Sequence, residues 1–256
     1  MAKKRGKRIN IPFSRRCMID FMYFSQKTSK NLVSAELNLD LSSVAAARLA
    51  ANPKVSWFAI FIKAFAEISS IYPQLRQVLF SYPFPYLYQY HRSVAMLAIE
   101  REINQENMVM YLKIDSPEKL SLASIHQMIV ASKTIKPEDD LNFRRFLKFN
   151  RFPFLLRRLY WWMGINLPIF KMHYFGTFGV TGAGRGLRSL SIKSPVGVNF
   201  VFDTNSGLFR LFWDHRLFDG VIVTKMLYQM QDILDNMILK ELQDMAEANT
   251  GARNHY

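Results

Sequence analysis

The chain has 256 residues, half of them apolar and 21% charged, with one cysteine and a formal net charge of +14. That length and balance specify a globular protein with a sizeable core and exclude a disordered chain. The lone Cys17 excludes an internal disulfide and predicts a reducing, cytosolic setting, with the thiol buried as structure in preference to serving as a nucleophile. The excess of positive charge predicts a polyanionic partner: nucleic acid, an anionic membrane surface, a phosphorylated cofactor such as coenzyme A, or an acidic carrier protein. The basic start, Met1 to Arg8, leads into no apolar run, so a signal peptide is not expected. No window reaches eighteen uninterrupted apolar residues, so neither is a transmembrane helix.

In chain order, residues 1–10 read as a flexible basic arm, followed by a helix opening at Ser14. Val33 to Leu41 alternates apolar and polar residues as a half-buried strand does. Ser42 and Ser43 predict the start of a short helix, Val44 to Ala51, which Pro53 ends. Val55 to Ile71 is apolar on nearly every face, with Lys63 and Glu67 its charges, and predicts a buried helix. Phe80 to Tyr90, with Pro83 and Pro85, reads as a loop. Strands are expected at 93–99 and 108–114 around the polar turn 104–107, then a helix at 121–132.

From Leu141 to Phe202 there is no acidic residue, yet ten lysines and arginines occur. Phe143 to Phe170 interleaves six of them with aromatic and aliphatic side chains, Trp161 and Trp162 included. Two readings fit. One is a helix pair whose basic residues are solvated; the other is an interfacial segment with its apolar face on lipid or a fatty chain and its arginines on phosphate. No nucleic-acid motif is present, and nucleic acid is not expected as the partner. Pro153 and Pro168 break the segment into pieces too short to span a bilayer.

Thr177 to Thr181 predicts a strand leading into Gly182-Ala183-Gly184-Arg185-Gly186. This is not a dinucleotide fingerprint, because the third glycine falls one position early, but such a loop lets a ligand approach the backbone. Strands at 196–202 and 208–213 flank the hairpin signature Asp203 to Gly207. Val221 to Ala248 is periodic enough for one long amphipathic helix, and residues 249–256 form a polar tail. The whole predicts a single mixed α+β domain over residues 11–248, a mixed sheet flanked by helices, with the basic aromatic segment at 141–175.

The candidate chemistry lies in Asp214-His215-Arg216-Leu217-Phe218-Asp219-Gly220, a polar turn between a strand and a helix. An imidazole there can take a proton from a hydroxyl, thiol or amine attacking a carbonyl, commonly for a factor of about 10²–10⁴. A donor to the oxyanion is also needed, and Thr181, beside three glycines, is the candidate. Asp219 suits an ion pair that locks the loop. By itself an HxxxD pair serves structure as readily as catalysis. The other histidines form no metal-ligand cluster, so no metal is expected.

The turn resembles the DHRxxDG signature of the catalytic domain of the acyltransferase component of 2-oxo acid dehydrogenase complexes; chloramphenicol acetyltransferase shares that fold and a similar HxxxDG. Gly176-Thr177-Phe178-Gly179-Val180-Thr181 resembles the family's GTFTIS strand, and Ile11-Pro12-Phe13-Ser14-Arg15-Arg16 its IPLS…RK start. Asp40, Lys63-Ala64 and Pro73 follow the family's order. The resemblance implies a chloramphenicol acetyltransferase-like fold and a homotrimer whose active sites lie between subunits. It implies His215 as general base, Thr181 from a neighbour binding the oxyanion, and Asp219 paired with Arg15 or Arg16. Gly182, Gly184 and Arg185 would contact the donor. Transfer from a thioester would be direct, with no bound cofactor and no acyl-enzyme.

Departures are also present. The Pro-His that precedes the family's conserved aspartate is Asn31-Leu32, its expected asparagine is Arg76, and the 143–170 segment has no counterpart. No lipoyl domain is recognisable. The expectation is therefore a stand-alone cytoplasmic acyltransferase using acyl-coenzyme A or an acyl carrier protein, with peripheral contact to the inner membrane face through 143–170. The alternatives are a non-catalytic trimeric scaffold or membrane-surface module, and a core subunit of an atypical dehydrogenase complex.

Overall fold

The computed structural model describes residues 10–81, 83–103, 105–182 and 193–253. Helix α1 (Phe13–Ser29) leads to strand β1 (Leu32–Asn38), short helix α2 (Ser42–Ala50) and α3 (Trp57–Ile71). Strands β2 (Gln77–Phe80) and β3 (Tyr86–Gln89) form a small hairpin, and β4 (Val94–Ile103) and β5 (Glu106–Asp115) a long one. Helices α4 (Leu122–Thr134), α5 (Leu141–Asn150), α6 (Phe154–Asn166) and α7 (Pro168–Phe175) follow. The chain returns through β6 (Phe178–Gly182), β7 (Val198–Asp203) and β8 (Leu208–Asp214) to α8 (Gly220–Ile233) and α9 (Leu239–Arg253).

Among the described residues, one six-stranded sheet has the order β1-β8-β7-β6-β4-β5. The β4–β6 and β6–β7 pairs are parallel and the others antiparallel, giving the mixed sheet that was expected. Alternation along β4 divides the core in two. Ala95, Leu97 and Ile99 face the main core with α3, while Met96 joins Phe21, Trp161, Phe175 and Val196 on the other side. The sheet is thus a middle layer with α3, α4 and α8 on one face and α1, α6 and α7 on the other.

α3 is buried as its composition requires. The Ser56 hydroxyl accepts from the Ala59 N–H at 3.2 Å and caps the helix. Phe61 stacks on Phe202 with ring centroids 4.2 Å apart, and Phe65 packs between Phe178 and Phe200. Its one lysine, Lys63, reaches Glu241 of α9 at 2.5 Å, so the buried cation has a counter-charge.

Three expectations change. The 80–90 stretch is not all loop, because β3 follows the prolines and pairs back onto β2. The long C-terminal helix is divided by a π-helical turn, Leu234–Ile238, across which the buried positions Leu234, Ile238 and Leu242 step by four, as they can in an ordinary helix. The 143–170 segment lies within three helices, not two, since Pro153 and Pro168 each open a new one.

Nor are its cations all solvated. Asp20 of α1 is buried between Arg157, with Nε at 2.9 Å, and Arg158, with Nε at 3.1 Å. Lys171 is buried too. The acid-free stretch takes its counter-charge from a distant helix.

Candidate active site

β8 enters the turn through Trp213, whose ring stacks on Phe218 and whose indole N–H donates to the Phe218 carbonyl at 2.9 Å. This clamp closes residues 213–218 into a tight loop. Asp214 is buried at its base. Its carboxylate accepts from the Arg216 backbone N–H at 3.1 Å and from Arg216 Nε and Nη2 at 2.9 and 2.6 Å. Such a two-pronged pair fixes direction as well as distance, and it pushes the Arg216 guanidinium further above its ordinary range. Gly197 leaves room for the loop, because a Cβ there would meet Leu217 at 3.2 Å.

His215 stands at the crest. Its backbone N–H donates to the Asn31 carbonyl at 3.0 Å, which ties the turn to the residue just before β1. Its side chain is 52% exposed and its Nδ1 lies 3.6 Å from Asp219 Oδ1. That separation is an ion-pair distance, longer than a hydrogen bond. Asp219 is the N-cap of α8, with its carbonyl accepting from Ile222 and its carboxylate 83% exposed.

Within one chain the structure does not bring Asp219 together with Arg15 or Arg16. Both arginines lie at the start of α1, beside Glu106 of β5, whose carboxylate accepts from the Ser14 N–H at 2.7 Å. Seventeen helical residues, about 25 Å at 1.5 Å each, separate that end from the one that leads to Asn31. Asp219 faces His215 instead.

Thr181 is exposed near the far end of the sheet. In register it lies beside Val201, and Val201 lies beside Arg210, four residues before Asp214. Four strand residues and two strand spacings put Thr181 roughly 15 Å from the His215 turn in the same chain. Gly182 follows it, and a Cβ there would run into the Phe58 ring, so packing explains this glycine locally. Gly184 and Arg185 lie outside the described residues. The fold therefore brings together His215 and Asp219 and sends Thr181 to the opposite end.

One residue the sequence reading missed is Lys171 on α7. Burial lowers its amine from 10.5 to about 8, against the pull of the Asp214 carboxylate, and Arg216 lowers it further. Its ammonium also sits over the Phe80 ring at 5.4 Å. A single lysine inside Pro-Ile-Phe-Lys-Met-His-Tyr-Phe was the available signal. Among the described residues, no three His, Cys, Asp or Glu are gathered as a metal site would need.

Known protein families yield no matching model for this chain, and no curated protein sequence matches it. Solved structures do match. A probable dihydrolipoamide acetyltransferase from Listeria monocytogenes aligns over 90% of this chain and 94% of its own, at 16% identity and a TM-score of 0.61. A truncated catalytic core of the 2-oxoacid dehydrogenase multienzyme complex from Thermoplasma acidophilum aligns over 90% and 99%, at 15% identity and 0.62. The dihydrolipoamide acetyltransferase of Azotobacter vinelandii aligns over 93% and 96%, at 12% identity and 0.62. Chloramphenicol acetyltransferase aligns less well, at 0.46. The chain has the fold of these acyltransferase catalytic cores.

Proposed function

We propose that the protein is an acyltransferase that moves an acyl group from a thioester, coenzyme A or an acyl carrier protein, to a hydroxyl, thiol or amine. The observation that carries this reading is the exposed His215 on a turn locked by Asp214–Arg216 and Trp213–Phe218, within an acyltransferase fold. A serine, a histidine and, four residues on, an asparagine were investigated for their role in the catalytic mechanism of the Azotobacter enzyme. His215 and Asp219 have that spacing.

In the proposed reaction, Asp219 beside Nδ1 leaves Nε2 to face the acceptor. His215 takes the acceptor's proton as its heteroatom attacks the thioester carbonyl. The oxyanion that forms is held by the Thr181 hydroxyl. Collapse breaks the carbon–sulfur bond, and the imidazolium returns the proton to the leaving thiolate. No covalent enzyme intermediate is required.

Because His215 and Thr181 lie at opposite ends of one sheet, they can share a site only if they come from different subunits. This supports a homo-oligomer with sites at its interfaces, of which the expected homotrimer is one form. The direct test uses His215→Ala and Thr181→Ala. Each homo-oligomer is expected to lose thioester-dependent transfer, and chains co-assembled from both to recover it. Unchanged transfer in His215→Ala would refute the catalytic reading, and absence of recovery the shared site.

A second reading, a membrane-surface module, is favoured by α6 and α7. Leu155 and Ile169 are 78% and 77% exposed, with Phe154 and Leu159 beside them and Arg144, Arg145, Lys148 and Arg151 on the preceding turn and helix. No described helix is long and apolar enough to cross a membrane. The two readings combine in a cytoplasmic enzyme held at the inner membrane face. Wild type that binds anionic vesicles but releases thiol from no acyl thioester would leave the module alone standing.

A further inference from the structure

The acid-free segment also encloses a cavity of about 370 Å³, walled by β5, α5, α6 and α7. That volume lies in the range of small-molecule sites. The His215 turn contributes nothing to its lining. The inner wall is aromatic: Phe149, Tyr160, Trp161 and Phe175 pack on one another with ring centroids 5.2–6.4 Å apart.

The rim carries Lys113, Arg145 and Lys148, and among the described lining residues none is a carboxylate. The nearby Asp115 is already engaged by Arg92 at 2.9 Å. Lys113 is fixed by donating to the His173 carbonyl. Burial and then the neighbouring Arg145 hold its amine below the usual range. Burial, Lys113 and Arg145 do the same to His173. Cations crowded over an apolar hollow repel one another, and an anion at the rim relieves that repulsion.

The contents of the wall narrow the ligand class. A nucleotide base would find rings to stack on, but its edge and sugar also call for amides, hydroxyls or carboxylates, and the lining offers only tyrosine phenols, the His173 imidazole and the Trp161 indole N–H. We propose that this cavity binds a single-chain amphiphile, its alkyl tail among the rings and its anionic head, carboxylate or phosphate monoester, on Arg145, Lys148 and Lys113.

Calorimetry with decanoate, decyl phosphate, decyl maltoside and AMP tests this on the full chain. Both anions are expected to bind at one site, with the uncharged maltoside about tenfold weaker or worse. The stronger of the two anions identifies the head group. Arg145→Gln with Lys148→Gln changes only exposed side chains and is expected to weaken both anions by about tenfold while leaving the maltoside unchanged. Equal binding of the maltoside, undiminished binding by the double variant, displacement of decanoate by AMP, or no binding of either anion would overturn the site. Phosphatidylglycerol vesicles that bind both proteins equally, with neither monomeric anion bound, would assign the charge to the α6–α7 surface instead.

Discussion

Arg157 of α6 donates its Nε–H to Asp20 of α1 at 2.9 Å, across 137 residues of sequence, and the Asp20 side chain is 1% exposed. Arg158 approaches the second carboxylate oxygen at 3.1 Å and lays its guanidinium over the Tyr23 ring, with 4.0 Å to the centroid. One carboxylate is therefore shared by two cations and fastens the basic segment to α1. Removing one partner of a buried pair leaves an uncompensated charge, which commonly costs about 3–5 kcal/mol. Asp20→Ala is expected to destabilise the protein by that order in urea unfolding. Arg158→Ala, partly exposed, should cost far less.

Asp214 does for the His215 turn what Asp20 does for the segment. Its loss frees Arg216 and leaves Lys171 beside the turn without the carboxylate that draws it toward the charged form. If His215 is the base, Asp214→Asn should lower kcat by about 10²-fold through misplacement of the imidazole. KM for the thioester should change much less. Steady-state kinetics on folded variant separates this from a general loss of structure.

Lys171 gives stability a pH dependence of definite sign. Its amine titrates at about 8 in the fold, below its ordinary value of 10.5. The unfolded chain binds the extra proton between those values, so the lysine contribution to stability rises with pH across that window. Cys17 opposes it: burial lifts the thiol from 9.0 to about 12, so its contribution holds below pH 9 and is lost as pH rises toward 12. Denaturant titrations of wild type and Lys171→Met from pH 7 to 9 should show a rise in the former that the latter lacks. Parallel curves would refute the assignment.

Two glycines should differ in how far they tolerate a side chain. Gly207 sits in the β7–β8 turn at φ +71°, and a Cβ there would collide with the Leu39 carbonyl. Gly207→Ala is expected to cost more than ~1 kcal/mol. Gly220, first residue of α8, has nothing within 4 Å of an added Cβ, so Gly220→Ala should unfold within about 0.5 kcal/mol of wild type. A loss of transfer in Gly220→Ala without a loss of stability would place a neighbouring subunit against the turn.

Much of this is legible in the sequence itself. Alternation in Val33–Leu41 and Leu208–Trp213 marks strands because every second side chain must leave water, although β1 itself ends at Asn38. The nearly all-apolar α3 could be stable only inside. His215 and Asp219 are four residues apart, so their meeting is a local matter of one turn. What failed was non-local or masked: β3 hides behind two prolines, and a π turn hardly disturbs a helical period.

The tertiary structure alone decided where separate segments stand relative to one another. Composition announced ten cations without an acid between Leu141 and Phe202, but not that two of them pair with Asp20. Local pattern put Thr181 on a strand and His215 after another, yet strand order and register set them at opposite ends of the sheet. The physical reason is one of range. Periodicity and turn chemistry act over a few residues and are written into each segment, whereas strand pairing and buried charge balance are settled by which segments the core brings together.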